Sequence, residues 1–261
     1  MAILTSSGLL GSIQNLSFFQ NKEGKTIVRS KGGASKKKIK RAPSFERTRE
    51  NNSMFAGCAR TVRNIRRSFF PLTHMADYNF TPALHSAIKE IQMLDDKGER
   101  GQLNVYLSRF AQPLSGFQLR RENTFDSIVR HPVMCTINSK GQSARIEVPA
   151  LIPGINFFLP WNAPFYRFTV TLGAVTDTLF DPKTKCYAAE GLMPGVLEGE
   201  WRAAAQKQAA HSFELAIGEL PAKGAGYALI ASIGIEMGTP ANGTTVEAVP
   251  YQGAAKILKA E

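Results

Sequence analysis

The chain has 261 residues, 43% of them hydrophobic, and a formal net charge of +11; that is enough apolar mass for one large or two small domains to fold without covalent staples. Three cysteines, Cys58, Cys135 and Cys186, odd in number and with no CxxC pair, argue against a disulfide framework or a zinc ribbon and lead us to expect free thiols in a reducing cytoplasm. The charge is unevenly placed: residues 1–75 hold 15 Lys and Arg against Glu23, Glu46 and Glu50, while the remainder holds 17 basic and 18 acidic residues, so the whole excess lies in the N-terminal segment.

The opening "MAILTSSGLLGSIQNLSFF" has no basic residues before its apolar ones, and Ser, Gly, Gln and Asn interrupt it too early for a signal peptide. The longest later apolar run, "YALIASIGI", is about half of what a spanning helix needs. A soluble, cytoplasmic protein without a membrane span is the expectation. Further along, "LSFFQNKEGKTIVRS" reads as a β-hairpin, because two β-prone runs flank the turn-forming "NKEG". An isolated hairpin is marginal in water, so something else must cover it. The Gly-, Ser- and Lys-rich stretch from Ser30 to Arg41 is too polar to build a core and reads as a flexible connector.

Pro43 and Ser44 open a helix, with Glu46 and Glu50 near the positive end of its dipole. Phe55, Cys58, Val62, Ile65 and Phe69 recur at spacings of three and four in a stripe about 80° wide, with Arg60, Arg63 and Arg67 on the opposite side. The helix should end before Pro71, and its narrow stripe also fits two heptads of a coiled-coil seam. A second helix starts at Thr81-Pro82, presents Leu84, Ala87, Ile88, Ile91 and Leu94, and stops at "DDKGERG". Two helices of similar length joined by about ten residues suggest a helical hairpin.

From Leu114 the period becomes alternating. Phe117 and Leu119; Val133, Cys135 and Ile137; Ile146 and Val148; Phe168, Val170 and Leu172; Phe213, Leu215 and Ile217; and Tyr227, Leu229, Ile233 and Ile235 mark six half-buried strands, with "NSKGQS" as a hairpin turn. Many short strands without intervening helices point to a β-sandwich. "EGEWRAAAQKQAAH" suits helix or strand equally. The expected fold class is α+β: a hairpin and basic arm over 1–41, a helical hairpin over 42–101, and an antiparallel sandwich over 102–261.

No catalytic signature stands out, and no enzyme activity or cofactor is expected. Gly24-Lys25-Thr26 has the end of a phosphate loop, but Phe19 occupies the place of the required earlier glycine. His74, His85, His131 and His211 are scattered, so no metal site is expected; Asp95-Asp96 reads as a solvated turn. Trp161, Phe165 and Tyr166, in a proline-rich segment, offer flat rings for a sugar or peptide, although such a stretch also serves to close a sandwich edge.

Two readings compete for the N-terminal segment. Lys36, Lys37, Lys38, Lys40 and Arg41, extended by Arg60, Arg63 and Arg67, would bind nucleic-acid phosphates non-specifically through counterion release. The alternative is an arm that docks by strand addition on another copy, with Phe18, Phe19, Ile27 and Val28 in the arm and Phe55, Val62, Ile65 and Phe69 in a helical seam. Repetition of such a contact builds a ring, tube or filament. The arm explains more of the layout.

"GLLGSIQNLSF", "GKTIVRS", "PSFERTRENNSMF", and the C-terminal "ALIASIGIEMG" leading to "AAKIL" together resemble a bacterial family, mainly of Bacteroidota type, that carries no assigned activity. The resemblance spans most of the chain. It implies a bacterial, non-catalytic protein and transfers no functional residues.

Overall fold

The structure is a computed structural model that describes residues 2–5, 8–21, 23–30, 32–242 and 245–261. Lys22 of the predicted turn and Lys31 of the predicted connector lie outside them. The chain divides into two compact units, residues 1–49 and 50–261.

The first unit opens with a four-stranded antiparallel meander, β1 (Ala2–Thr5), β2 (Gly8–Ile13), β3 (Leu16–Gln20) and β4 (Thr26–Ser30), neighbours in that order. The predicted hairpin is thus the second half of a larger sheet. Its turn is held by the Asn21 carboxamide oxygen, which accepts from the backbone N–H groups of Glu23 and Lys25 at 3.1 and 2.9 Å, while Gly24 takes the positive φ of +80° that a side chain would resist. Beyond it, the stretch expected to be a flexible connector contains a short helix, α1 (Lys36–Arg41). Ser35 caps that helix by accepting from the Lys38 N–H at 3.2 Å, and Lys38, Lys40 and Arg41 sit in the last turn, where cations suit the dipole. Arg49 then donates to the carbonyls of Ile39 and Ala42 at 3.0 and 2.9 Å. Lysine-rich composition concealed a helix whose caps are supplied by single residues.

The long helix α2 (Glu46–Ser68) leads into a 3₁₀ segment, Phe70–Met75, and the helix α3 (Thr81–Gln92). The second unit also contains β5 (Met134–Asn138), β6 (Ser143–Val148), β7 (Phe165–Thr176), β8 (Leu179–Asp181), β9 (Cys186–Ala188), β10 (Gly195–Glu198), β11 (Arg202–Ala203), β12 (His211–Ala216), β13 (Tyr227–Asn242) and β14 (Thr245–Ala260). A five-stranded sheet runs β10-β7-β13-β14, with β11 also on β7; a three-stranded sheet runs β12-β6-β5; β8 and β9 form a small hairpin. All named pairs are antiparallel. The fold class is α+β.

The five-stranded sheet is covered on both faces. Tyr166, Phe168, Val170 and Leu172 of β7 and Leu229, Ala231, Ile233 and Ile235 of β13 share a core with Ile146, Val148, Phe213 and Leu215 of the smaller sheet. The intervening residues meet the helices, where Val175, Ala228, Ile230 and Ile257 pack with Val62, Ile65, Phe69, Leu84 and Ile88. A strand buried on both sides has no polar face, which is why "ALIASIGI" is unbroken. Close approach sets the rest of its composition: a Cβ on Gly173 would lie 2.4 Å from Ser68 Cβ, and one on Gly234 would lie 2.7 Å from Met75 Sδ.

One predicted strand is absent as such, and two segments that the sequence left open take a definite form. Phe117–Leu119 forms no strand of its own but hydrogen-bonds to β14, Leu119 N–H donating to Ala255 and Ile257 N–H donating to Phe117, both at 2.9 Å. "EGEWRAAAQKQAAH" is mostly irregular between its two ends, which belong to β10 and β12; within it β11 pairs with β7 and Gln208 bridges Leu151. β14 was missed because Pro250 and Gly253 interrupt its pattern, and because Ala254 and Ala255, one on each face, give little alternating signal.

Candidate functional site

In the N-terminal sheet, Phe18 pairs with Val28 and Phe19 with Ile27. Because strand side chains alternate, Leu9, Ile13, Leu16, Phe18 and Val28 lie on one face and Leu10, Phe19 and Ile27 on the other. Both faces are therefore apolar. Neither is buried: from Leu9 to Arg49 no described residue reaches the interior, and Val28 is 51% and Phe19 38% exposed. The Arg29 guanidinium lies over this sheet, 5.2 Å from the Phe19 centroid. β1 and β4 are its edges, and every residue of β4 is exposed.

The helical seam is placed differently from the sequence reading. Val62, Ile65 and Phe69 are at most 3% exposed and belong to the chain's own core against the five-stranded sheet, so they offer nothing to a second copy. Periodicity reports that a face is buried, not which chain buries it. Phe55 alone of the four is exposed, stacked on His85 with centroids 4.3 Å apart. Lys36, Lys37, Lys38, Lys40 and Arg41 are all exposed on α1, and Arg60, Arg63 and Arg67 are exposed on α2.

The aromatic platform is not assembled. Tyr166 is fully buried, its ring 4.8 Å from Phe157 and 5.7 Å from Phe168, and its burial pushes the phenol up to about 12. Phe165, its neighbour on β7, necessarily points to the opposite face. Trp161 is half-buried and carries the Arg120 guanidinium 5.0 Å from its ring.

Three polar arrangements were not legible in the sequence. Arg120 donates to the carbonyls of Tyr251 and Gly253 at 3.0 and 2.8 Å and pairs with Asp77 at 3.6 Å. The carbonyls of Ala255 and Ile257, next along the same edge of β14, accept from Leu119 and Gly116, so that stretch of sheet edge is closed to a further strand. Glu236, buried on β13, takes Arg167 at 2.6 Å and His74 at 3.3 Å. Burial alone would raise the Glu236 carboxyl, but hydrogen bonds from His74 and Arg167 and their charges bring it below its usual range; the hydrogen bond to Glu236 raises His74. Asp95 is buried rather than solvated. Burial again works to raise it, but N–H donors from Asn104, Lys97 and Gly98 lower it overall, tying the loop after α3. All of these arrangements link residues distant in sequence, except for the Asx turn that begins at Asp95.

Among the described residues no group of three His, Cys, Asp or Glu could hold a metal ion, and no helix is long and apolar enough to cross a membrane. Cys58 and Cys135 are raised to about 11 by burial, and all three thiols are free. No family model, curated protein or solved structure matches the chain.

Proposed function

We propose that the chain is a self-assembling structural subunit of a filament, tube or shell, polymerising through its N-terminal arm, which docks on a neighbouring copy. The setting is bacterial, on the resemblance in the sequence, and the role is non-catalytic. One observation carries the reading: a four-stranded sheet with apolar side chains on both faces in which no described side chain is buried. A single-layer sheet leaves the apolar side chains of both faces in water, where burying them is favourable, and its edges are templates for pairing with another chain. A contact made from one copy to the next extends indefinitely unless its rotation closes a ring.

The arm provides both halves of such a contact, edge strands for backbone pairing and Phe18, Phe19, Ile27 and Val28 for side-chain burial. The helical seam is withdrawn from the assembly surface because its residues are used internally. Removing residues 1–41 leaves α2 whole and both cores of residues 50–261 intact. In sedimentation velocity the full chain should form large particles and the truncated chain a folded monomer. A full chain that stays monomeric at high concentration, or large particles that persist after truncation, would contradict the proposal.

A further inference from the structure

The second unit carries a strongly basic groove. Arg60, Arg63 and Arg67 project from one side of α2, and Arg63, Arg66 and Arg67 line an open groove of about 520 Å³ with Phe70, Thr73 and Thr81. The lining extends along α2 from Ala59 to Arg67, about 12 Å at the helical rise, and continues onto the 3₁₀ segment at Phe70 and Thr73. No carboxylate lines it, and among the described residues none of the four arginines forms an ion pair. Elsewhere in the unit Arg100, Arg120, Arg145 and Arg167 have carboxylate partners, while Arg109, Arg121, Arg130 and Arg202 form no ion pair among the described residues; what sets the groove apart is that it gathers three such arginines. Arg66 is held against Phe80 and Thr81, and Arg67 against the Met193 sulfur, so two guanidinium groups are positioned while their charge is left uncompensated.

The lining selects among ligands. Its charged groups are donors in a planar fork that suits phosphate oxygens, and Phe70, 52% exposed, adds a flat ring among them. An acidic peptide would satisfy the arginines but would leave the ring without a flat partner. A nucleotide strand supplies regularly spaced anions and flat bases together. Stacking on Phe70 needs a base free of its neighbours, which a single strand offers and a duplex does not. We propose that the groove binds single-stranded nucleic acid, with phosphates on Arg63, Arg66 and Arg67 and a base on Phe70. This lies wholly within residues 50–261 and does not depend on the assembly reading.

The test is fluorescence anisotropy of the full chain with labelled 12-nucleotide single strands, DNA and RNA, at about 50 and 200 mM salt. Binding to at least one strand should weaken steeply with salt. The combined variant Arg63→Gln, Arg66→Gln, Arg67→Gln should bind at least about tenfold more weakly at the lower salt, with its salt slope reduced by about 2, since each phosphate contact to a single strand contributes about 0.7. Phe70→Ala should cost about tenfold with the slope unchanged, as expected for a stacking contact. Absent binding to both strands, undiminished binding by the triple variant, loss only when Lys36, Lys37, Lys38, Lys40 and Arg41 become Gln, or equal competition by polyglutamate would each overturn the proposal. Thermal unfolding checks that the triple variant folds; if it does not, Arg63→Glu alone must give the same tenfold loss.

Discussion

The sheet of residues 2–30 and the five-stranded sheet of residues 50–261 are both antiparallel, yet they differ in what covers their faces and edges. In the second unit β7 and β13 are packed on both sides, and part of the β14 edge is closed by Arg120 and by the backbone of residues 116–119. In the first, both faces carry apolar side chains, no described one is buried, and among the described residues no further strand pairs with β1 or β4. Edge closure by a buried cation and a covering loop is how a sheet is kept from pairing with other chains. Among the described residues the N-terminal sheet has no such closure, so one polypeptide treats the faces and edges of its two sheets in different ways.

The largest effect expected from breaking this contrast is in the doubly covered sheet. Phe69→Ala removes a fully buried ring between α2 and the strands and should cost about 3–5 kcal/mol in urea unfolding of residues 50–261. Arg120→Ala takes away the partner of Asp77 and the donor to two edge carbonyls; a loss of about 3 kcal/mol is expected, together with new concentration-dependent association through the opened edge. Association unchanged from the parent would show that the guanidinium does not guard β14. Gly234→Val pushes side-chain atoms into Leu72 and Met75 and should cost about 1–3 kcal/mol.

His74 gives a smaller, pH-dependent effect. Its folded value is raised by Glu236, so its contribution is fully present below its ordinary value of 6.5 and is lost as pH rises through the raised value. His74→Gln should lower the thermal midpoint at pH 6 and make little difference at pH 9. The side chain is 55% exposed, which limits the effect to no more than about 1 kcal/mol; an equal loss at both pH values would remove the charge pair as its cause. Smallest of all, Phe19→Ser and Ile27→Ser should change unfolding of residues 50–261 by less than about 0.5 kcal/mol while abolishing large particles.

The sequence showed most where burial has one period and one owner. The stripe Cys58, Val62, Ile65 and Phe69 and the alternations at Ile146, Phe168, Phe213 and Leu229 all lie in the cores. Tyr166 shows the limit: in the sequence its ring looks equivalent to those of Trp161 and Phe165, and only the strand's orientation separates inward from outward. The ion pairs Arg120–Asp77 and Arg167–Glu236 were illegible because each joins residues 43 and 69 positions apart respectively. The arginine groove was half legible. The row on α2 follows from helical spacing, but Phe70, Thr73 and Thr81 join it only through the turn of the chain after α2.

Amide hydrogen exchange of residues 9–30, followed across a hundredfold range of protein concentration, tests most directly whether the N-terminal sheet is completed by another copy. Protection of these amides should rise with concentration while that of β7 and β13 stays constant. Protection that is already high in dilute monomer, or exchange that remains fast in the most concentrated sample, would contradict the account.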